Sequence, residues 1–520
     1  MMPRTCALTP RQAEILEALD RFQAEGISKT DEEILREANN LDIKYGNDPT
    51  YVQNIDGVLT NIGSSKRSTC VLLHARKRLL NILSMTKEDF PRYNLGNALL
   101  AIADIKCANS LEELLASSEY REAREHFAAV PRGPSYARAN TNRANILEKY
   151  GRSYEAIHAY DKVLKQKPNF GMALGNKAIA LSFYYSLVSD KSHNLLRQAS
   201  ELLKKAIKEE NTAEEGGQGA IEHFKSELKK IEEHLNRYHL KEPSSKQSYN
   251  RITKYQSFCR DKDLYLNTCF NCFRCKRGLM DSLSFHFIDS FKAASGEDDH
   301  SYSSYTNKTY LSIKTLNQIY EDYATARYLY YQAATRKFSS YDKITQYSCA
   351  LDYCCNSLRY GLVKTSYIRL FNIMDKIAHL VYTNYGLAHK KLYIDDLRSP
   401  SMVDIIKRER SWGLLALHNM AGDFLEGRIY GRYSQVRHII THEFIDIGLL
   451  ERPFKDETDQ YFNNHHLSEE LLHSYTEDLF LLVKSALIYF MNALFQDYLK
   501  RRKQGEPLTL PIYPQRRFYN

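Results

Sequence analysis

Ala137-Arg-Ala-Asn-Thr-Asn-Arg-Ala-Asn-Ile-Leu-Glu-Lys-Tyr150-Gly-Arg-Ser-Tyr-Glu-Ala-Ile-His-Ala-Tyr160-Asp-Lys-Val-Leu-Lys-Gln-Lys-Pro168 reads as two helices with a turn at Tyr150-Gly151 and a terminating proline. Small or apolar residues hold the packing positions: Ala144 and Leu147 before the turn, then Ala156, Tyr160 and Val163 after it. Spacings of three and four place them on one face of each helix. Outward from this hairpin, helical patterns dominate and nothing reads as a strand run, so the expected fold class is all-α. Thr9-Pro10 opens a helix with an N-cap and a proline at the first position. Thr30-Asp-Glu-Glu33 is a capping box, and Ser65 to Ser84 is amphipathic.

The hairpin resembles a tetratricopeptide repeat (TPR), which has a small residue at the first helix's crossing point, an Ala–aromatic pair in the second helix and a late proline. An imperfect copy precedes it, in Tyr93-Asn-Leu-Gly-Asn-Ala-Leu99 and Glu122 to Pro131. Another follows, in Asn176 to Leu181 and Leu202 to Ile207. Three copies with flanking helices imply a TPR-like helical solenoid over residues 1–240. Its concave face would bind a protein or peptide, such as a trigger or an inhibitor.

Ala213-Glu-Glu-Gly-Gly-Gln-Gly219 reads as a loop and Glu242-Pro-Ser-Ser-Lys-Gln-Ser248 as a linker. We place a connecting segment at 241–307, a helical bundle at 308–502 and a basic, proline-containing tail at 503–520. The bundle helices expected are Leu311–Thr335, Asp342–Leu362, Ser366–Tyr385, Arg408–Phe424, Gln435–Ile447 and Leu467–Arg502.

A chain of 520 residues exceeds what one core normally serves, and 43% hydrophobic residues can fill several. A mean hydropathy of −0.51 argues for solubility. The longest apolar run, Leu479 to Phe495, is broken by Lys484, Ser485 and Asn492 and reads as a bundle helix, so no membrane is expected. The N-terminus lacks the apolar core of a signal peptide, and the ten cysteines include the neighbours Cys354-Cys355 within a helical pattern. Both features suit a reducing cytoplasm. The net charge of +9 fits a polyanionic partner.

Cys269-x2-Cys272-x2-Cys275, with Cys259 upstream and His286 downstream, offers donors to a zinc ion. The missing second knuckle leaves buried thiols in a connecting segment as the alternative, and no metal or cofactor is assigned.

Chemistry concentrates in Tyr433-Ser-Gln-Val-Arg-His-Ile-Ile-Thr-His-Glu-Phe-Ile-Asp-Ile447. Ser434 as N-cap and Gly448 as stop predict a helix over 435–447, with Val436, Ile440, Phe444 and Ile447 facing the core. Arg437 then lies in the first turn, where an anion is favoured. His438 and His442 share the opposite face, and Ile445 is expected exposed beside them. Arginine grips phosphate oxygens, and histidine exchanges protons near neutrality. The alternative is a solvated face with ordinary surface histidines. No Gly-rich phosphate loop or Ser/His/Asp arrangement supports an NTPase or hydrolase of another kind.

Residues 310–500 resemble the HEPN superfamily, bundles of four or five helices of which many are metal-independent RNases. The signature is Arg, a polar residue, variable residues, then His, matched here by Arg437, His438 and His442. Tyr323-Ala-Thr-Ala-Arg-Tyr328 and Ile373-Met-Asp-Lys-Ile-Ala378 resemble the branch with upstream tetratricopeptide repeats. The resemblance implies a metal-independent endoribonuclease, toxin-like or anti-phage, acting on RNA as a homodimer through the bundle. Arg437 would neutralise the phosphate, His442 act as acid or base, and His438 hold phosphate or polarise the site. Members that have lost cleavage make an inactive RNA- or protein-binding scaffold the alternative.

Overall fold

Thr9 caps the first helix as its sequence indicates, its hydroxyl accepting from the Gln12 amide while the Gln12 side chain accepts from the Thr9 amide. Thr30 and Glu33 close the same reciprocal box on the second helix. The computed structural model describes residues 8–85, 90–107, 110–187, 193–237, 253–266, 302–335, 357–387, 392–448 and 465–503. They fall into two compact units, Met1–Leu147 with His158–Asn176, and Glu148–Ile157 with Lys177–Asn520.

The first unit begins with α1 (Pro10–Gly26), α2 (Asp31–Tyr45), α3 (Pro49–Lys66) and α4 (Thr69–Met85). Ile15, Leu19, Phe22, Ile34, Tyr51, Ile55 and Leu59 form their shared core. The single helix expected from Ser65 to Ser84 begins later. Arg67 takes a left-handed conformation (φ 55°) that ends α3, and the Ser68 hydroxyl accepts from the Val71 amide to start α4. Next come α5 (Phe90–Lys106), α6 (Leu111–Ala116), α7 (Ser118–Ala128) and α8 (Tyr136–Lys149); α9 (Ser153–Gln166) and α10 (Gly171–Leu187) are each divided between the two units. Gly96 of α5 is needed because a Cβ there would come within 2.5 Å of the Phe127 ring on α7. Ala144, Leu147, Ala156, Tyr160 and Val163 are all buried. Asn145 joins three helices by accepting from the Tyr160 hydroxyl (2.6 Å) and the Asn176 amide (3.0 Å). These helices are consistent with TPR-like repeats.

The second unit contains α11 (Asn194–Lys208), α12 (Glu210–Arg237), α13 (Lys254–Asp261), α14 (Tyr302–Thr335), α15 (Leu358–Tyr385), a 3-10 turn (Ile394–Arg398), α16 (Pro400–Glu409), α17 (Trp412–Gly422), α18 (Gly431–His442) and α19 (Glu469–Lys503). The loop expected at Ala213–Gly219 is instead a kink in α12, at Gly217 (φ 69°). The helix expected over Arg408–Phe424 is two helices, because Arg410 turns left-handed (φ 44°) and Ser411 caps α17. Two three-residue strands, β1 (Asp446–Gly448) and β2 (His466–Ser468), pair in parallel, where no strand was expected. Most of the expected Asp342–Leu362 helix and all of 503–520 except Lys503 lie outside the described residues.

α14 and α15 pack side by side, with α19 against α15 and α17. Tyr323 meets Phe480 edge-on at 5.4 Å, and Ser366 donates to the Ala326 carbonyl across the α14–α15 contact. Gly413 lets α17 approach α19 closely, since a Cβ would lie 2.6 Å from the Ala493 nitrogen. The span Glu469–Asp497 is long and apolar enough to cross a membrane, but most of it is buried in this unit, as a core helix requires.

The boundary expected at residue 240 does not follow the compact units, because the turn before α9 belongs to the second one. Arg152 there is wholly buried. Its guanidinium forks onto Glu155 (2.8 and 2.6 Å) and reaches Asp423 (2.6 Å) and Asn419 (2.9 Å) through Nη1. The Tyr489 hydroxyl of α19 donates to Glu155 at 3.1 Å. A buried charge needs this many partners to offset its lost hydration.

Glu148 is in the last turn of α8, and burial pushes its carboxyl up to about 8, against a smaller downward pull from the Ser153 hydroxyl. Stability linked to such a raised carboxyl is full below the ordinary carboxylate range and is lost as pH rises through that value. Glu148→Gln is therefore expected to leave the unfolding temperature nearly unchanged at about pH 5 and to raise it at about pH 9. Thermal melts of both proteins across that range check this; an equal shift at both ends would contradict it.

Candidate active site

α18 is set by the turn that precedes it. The Tyr430 amide donates to the Asp423 carbonyl at 2.7 Å, Gly427 is left-handed (φ 71°), and the Gly431 amide donates to the Arg428 carbonyl at 3.0 Å. Tyr433, Val436 and Ile439 form the buried face. Tyr433 packs on Tyr475 at 4.3 Å and donates to Asp478 at 2.8 Å, both on α19. Tyr367 of α15 donates to the Tyr433 carbonyl at 2.8 Å. A residue one turn further on, Arg437, is thereby aimed along α15.

The Arg437 guanidinium lies over the Phe371 ring at 5.3 Å. Its Nη2 pairs with Asp375 at 2.7 Å and contacts Asn372 at 3.5 Å. Burial pushes the Asp375 carboxyl above its ordinary range, and Arg437 pulls it back down. The arginine is about a quarter exposed, so one edge is anchored and the other is open to an anion.

His438 and His442 are exposed on α18, their ring centroids 5.0 Å apart. His438 Nε2 lies 3.5 Å from one Glu443 oxygen. The other Glu443 oxygen takes a hydrogen-bond contact from His465, and this holds the carboxyl below its ordinary range. His465 is buried and stacks on Phe444 at 5.0 Å. The β1–β2 register, Asp446 opposite His466, brings His465 across to Glu443. Lys364 of α15 reaches the Ile445 carbonyl at 3.3 Å; burial lowers its ammonium pKa, and Asp446 raises it. α18 therefore carries a partly exposed cation and two exposed imidazoles, with the fixed Glu443 carboxylate just past its end.

Residues 304–497 match the family model described as LA2681-like HEPN. The C-terminal domain is a HEPN domain. Comparison with curated proteins and with solved structures gave no match.

Within this HEPN domain several expectations are corrected. α18 starts at Gly431, so Ser434 is not its N-cap; its hydroxyl donates to the Phe424 carbonyl. Arg437 is consequently past the first turn, away from the free amides of the helix terminus. The helix stops at His442, where Glu443 turns extended. Ile445 is buried and Phe444 is half exposed, the reverse of their expected places, because β1 replaces the last helical turn. The sequence singles out neither Glu443 nor His465, and Asp375 enters only within the stretch 373–378, with no role of its own. Three-residue strands leave no alternation to read. Cys259 is buried on α13, whereas Cys269, Cys272, Cys275 and His286 lie outside the described residues.

Proposed function

We propose that the HEPN domain is a metal-independent endoribonuclease whose chemistry centres on Arg437 and His442. The observation that carries the reading is the presence of a partly exposed guanidinium and two exposed imidazoles on one helix, at the signature spacing of the superfamily. Arg437 draws in the scissile phosphate through its free edge. His442 takes the proton of the 2′-hydroxyl as its oxygen attacks phosphorus. The bond to the 5′-oxygen breaks, leaving a 2′,3′-cyclic phosphate and a 5′-hydroxyl. The resemblance supports a toxin-like or anti-phage role in the cytoplasm and a homodimer joined through this domain. Buried Ile445 lends no support to that interface, but half-exposed Phe444 beside His442 offers apolar surface for a second copy. Regulation by the TPR-like repeats is part of what the resemblance implies.

The Arg437–Asp375 pair favours a second reading, a binding-only scaffold in which the arginine is structural. RNA carrying a single 2′-deoxy nucleotide separates the two. The nuclease is expected to cut ordinary RNA in excess EDTA and to spare the bond beside the 2′-deoxy sugar. Binding of both RNAs without cleavage would favour the scaffold.

A further inference from the structure

The reaction needs two proton transfers at once, one from the 2′-oxygen and one to the 5′-oxygen. α18 carries two imidazoles in successive turns with centroids 5.0 Å apart, both exposed. They differ in surroundings. His438 faces the Glu443 carboxylate at 3.5 Å, and that carboxylate is fixed from behind by buried His465. His465 is in turn located by the β1–β2 pairing and by its stack on Phe444. A carboxylate anchored at one oxygen and presenting the other to an imidazole holds that ring in one orientation and balances the charge of its protonated form.

We propose that His438 is the general acid of the same protomer, oriented by Glu443, and that His465 is a positioning residue acting through Glu443. The proposal rests on the nuclease reading and deepens it. His442 removes the 2′-hydroxyl proton, the O2′–P bond forms, the P–O5′ bond breaks, and His438 delivers its proton to the departing 5′-oxygen. A later exchange with water returns each ring to its starting state. One chain then holds both proton carriers, and a second copy contributes binding surface instead of a missing acid. The titratable groups acting on Glu443 are His465, His438 and His442. Nearby on the same elements, Lys364 of α15 reaches the Ile445 carbonyl and interacts with Asp446 of β1, and Arg437 of α18 is paired with Asp375 of α15.

The test compares full-length wild type, His438→Asn, Glu443→Gln and His442→Ala on two RNAs, one ordinary and one with sulfur in place of the scissile 5′-oxygen. Thiolate departs without an acid. His438→Asn is expected to cut ordinary RNA about 10²–10⁴-fold more slowly and the sulfur-bridged RNA at close to the wild-type rate. His442→Ala is expected to be slow on both. Glu443→Gln should lower kcat with KM unchanged and regain speed on the sulfur-bridged RNA. Equal loss on both substrates by His438→Asn, or no loss, would overturn the acid assignment while leaving the nuclease standing. A wild-type protein that cuts neither RNA would overturn both readings.

Discussion

Replacing His442 with alanine is expected to slow RNA cleavage by about 10²–10⁴-fold while leaving the unfolding temperature close to wild type. The ring is exposed at the end of α18, and the buried face of that helix is made by Tyr433, Val436 and Ile439, so the substitution removes no core contact. Single-turnover rates beside thermal melts read the two effects separately. Cleavage at wild-type speed would remove His442 from the chemistry. Arg437 is a poorer probe, because its loss leaves the partly buried Asp375 carboxylate without its cation. Activity lost in Arg437→Gln but regained in Arg437→Gln with Asp375→Asn would assign the arginine to structure. Activity lost in both would assign it to phosphate.

The largest expected effect on stability is at Arg152. Replacing it with alanine removes a wholly buried cation and leaves Glu155 and Asp423 buried without it, which costs about 3–5 kcal/mol. Arg152→Lys should recover only part of that loss, since an ammonium cannot fork onto Glu155 and still reach Asp423 and Asn419. Urea unfolding of the three proteins measures the differences, and a loss under about 1 kcal/mol for alanine would contradict the buried-network account. The same network bears on truncation. A cut at residue 240 removes Arg152 along with α11 and α12, all part of the second compact unit, so the remaining bundle is expected to unfold more easily than the full chain.

Local chemistry was what the sequence made legible. Thr9, Thr30 and the proline at position 10 announced helix starts because capping is decided within four residues. The hairpin from Ala137 to Pro168 was legible because its packing residues repeat at helical spacing. The signature residues Arg437, His438 and His442 were legible by resemblance, and their exposed face followed from periodicity. What escaped was decided at long range. Arg410 ends α16 left-handed where its neighbours read as continuous helix. Arg152 looks like a surface turn residue until Asn419 and Asp423, more than 250 positions away, are brought to it. Glu443 and His465 meet only because two three-residue strands pair, and Ile445 is buried for the same reason.

In the proposed function, α18 cleaves RNA through its own side chains, with the 2′-hydroxyl as nucleophile. Chemical analysis of RNA ends after incubation with full-length protein in excess EDTA tests it most directly. The expected products are 2′,3′-cyclic phosphate and 5′-hydroxyl ends that disappear with His442→Ala. Ends bearing 5′-phosphate and 3′-hydroxyl, formed only when Mg²⁺ is supplied and undiminished by His442→Ala, would contradict it.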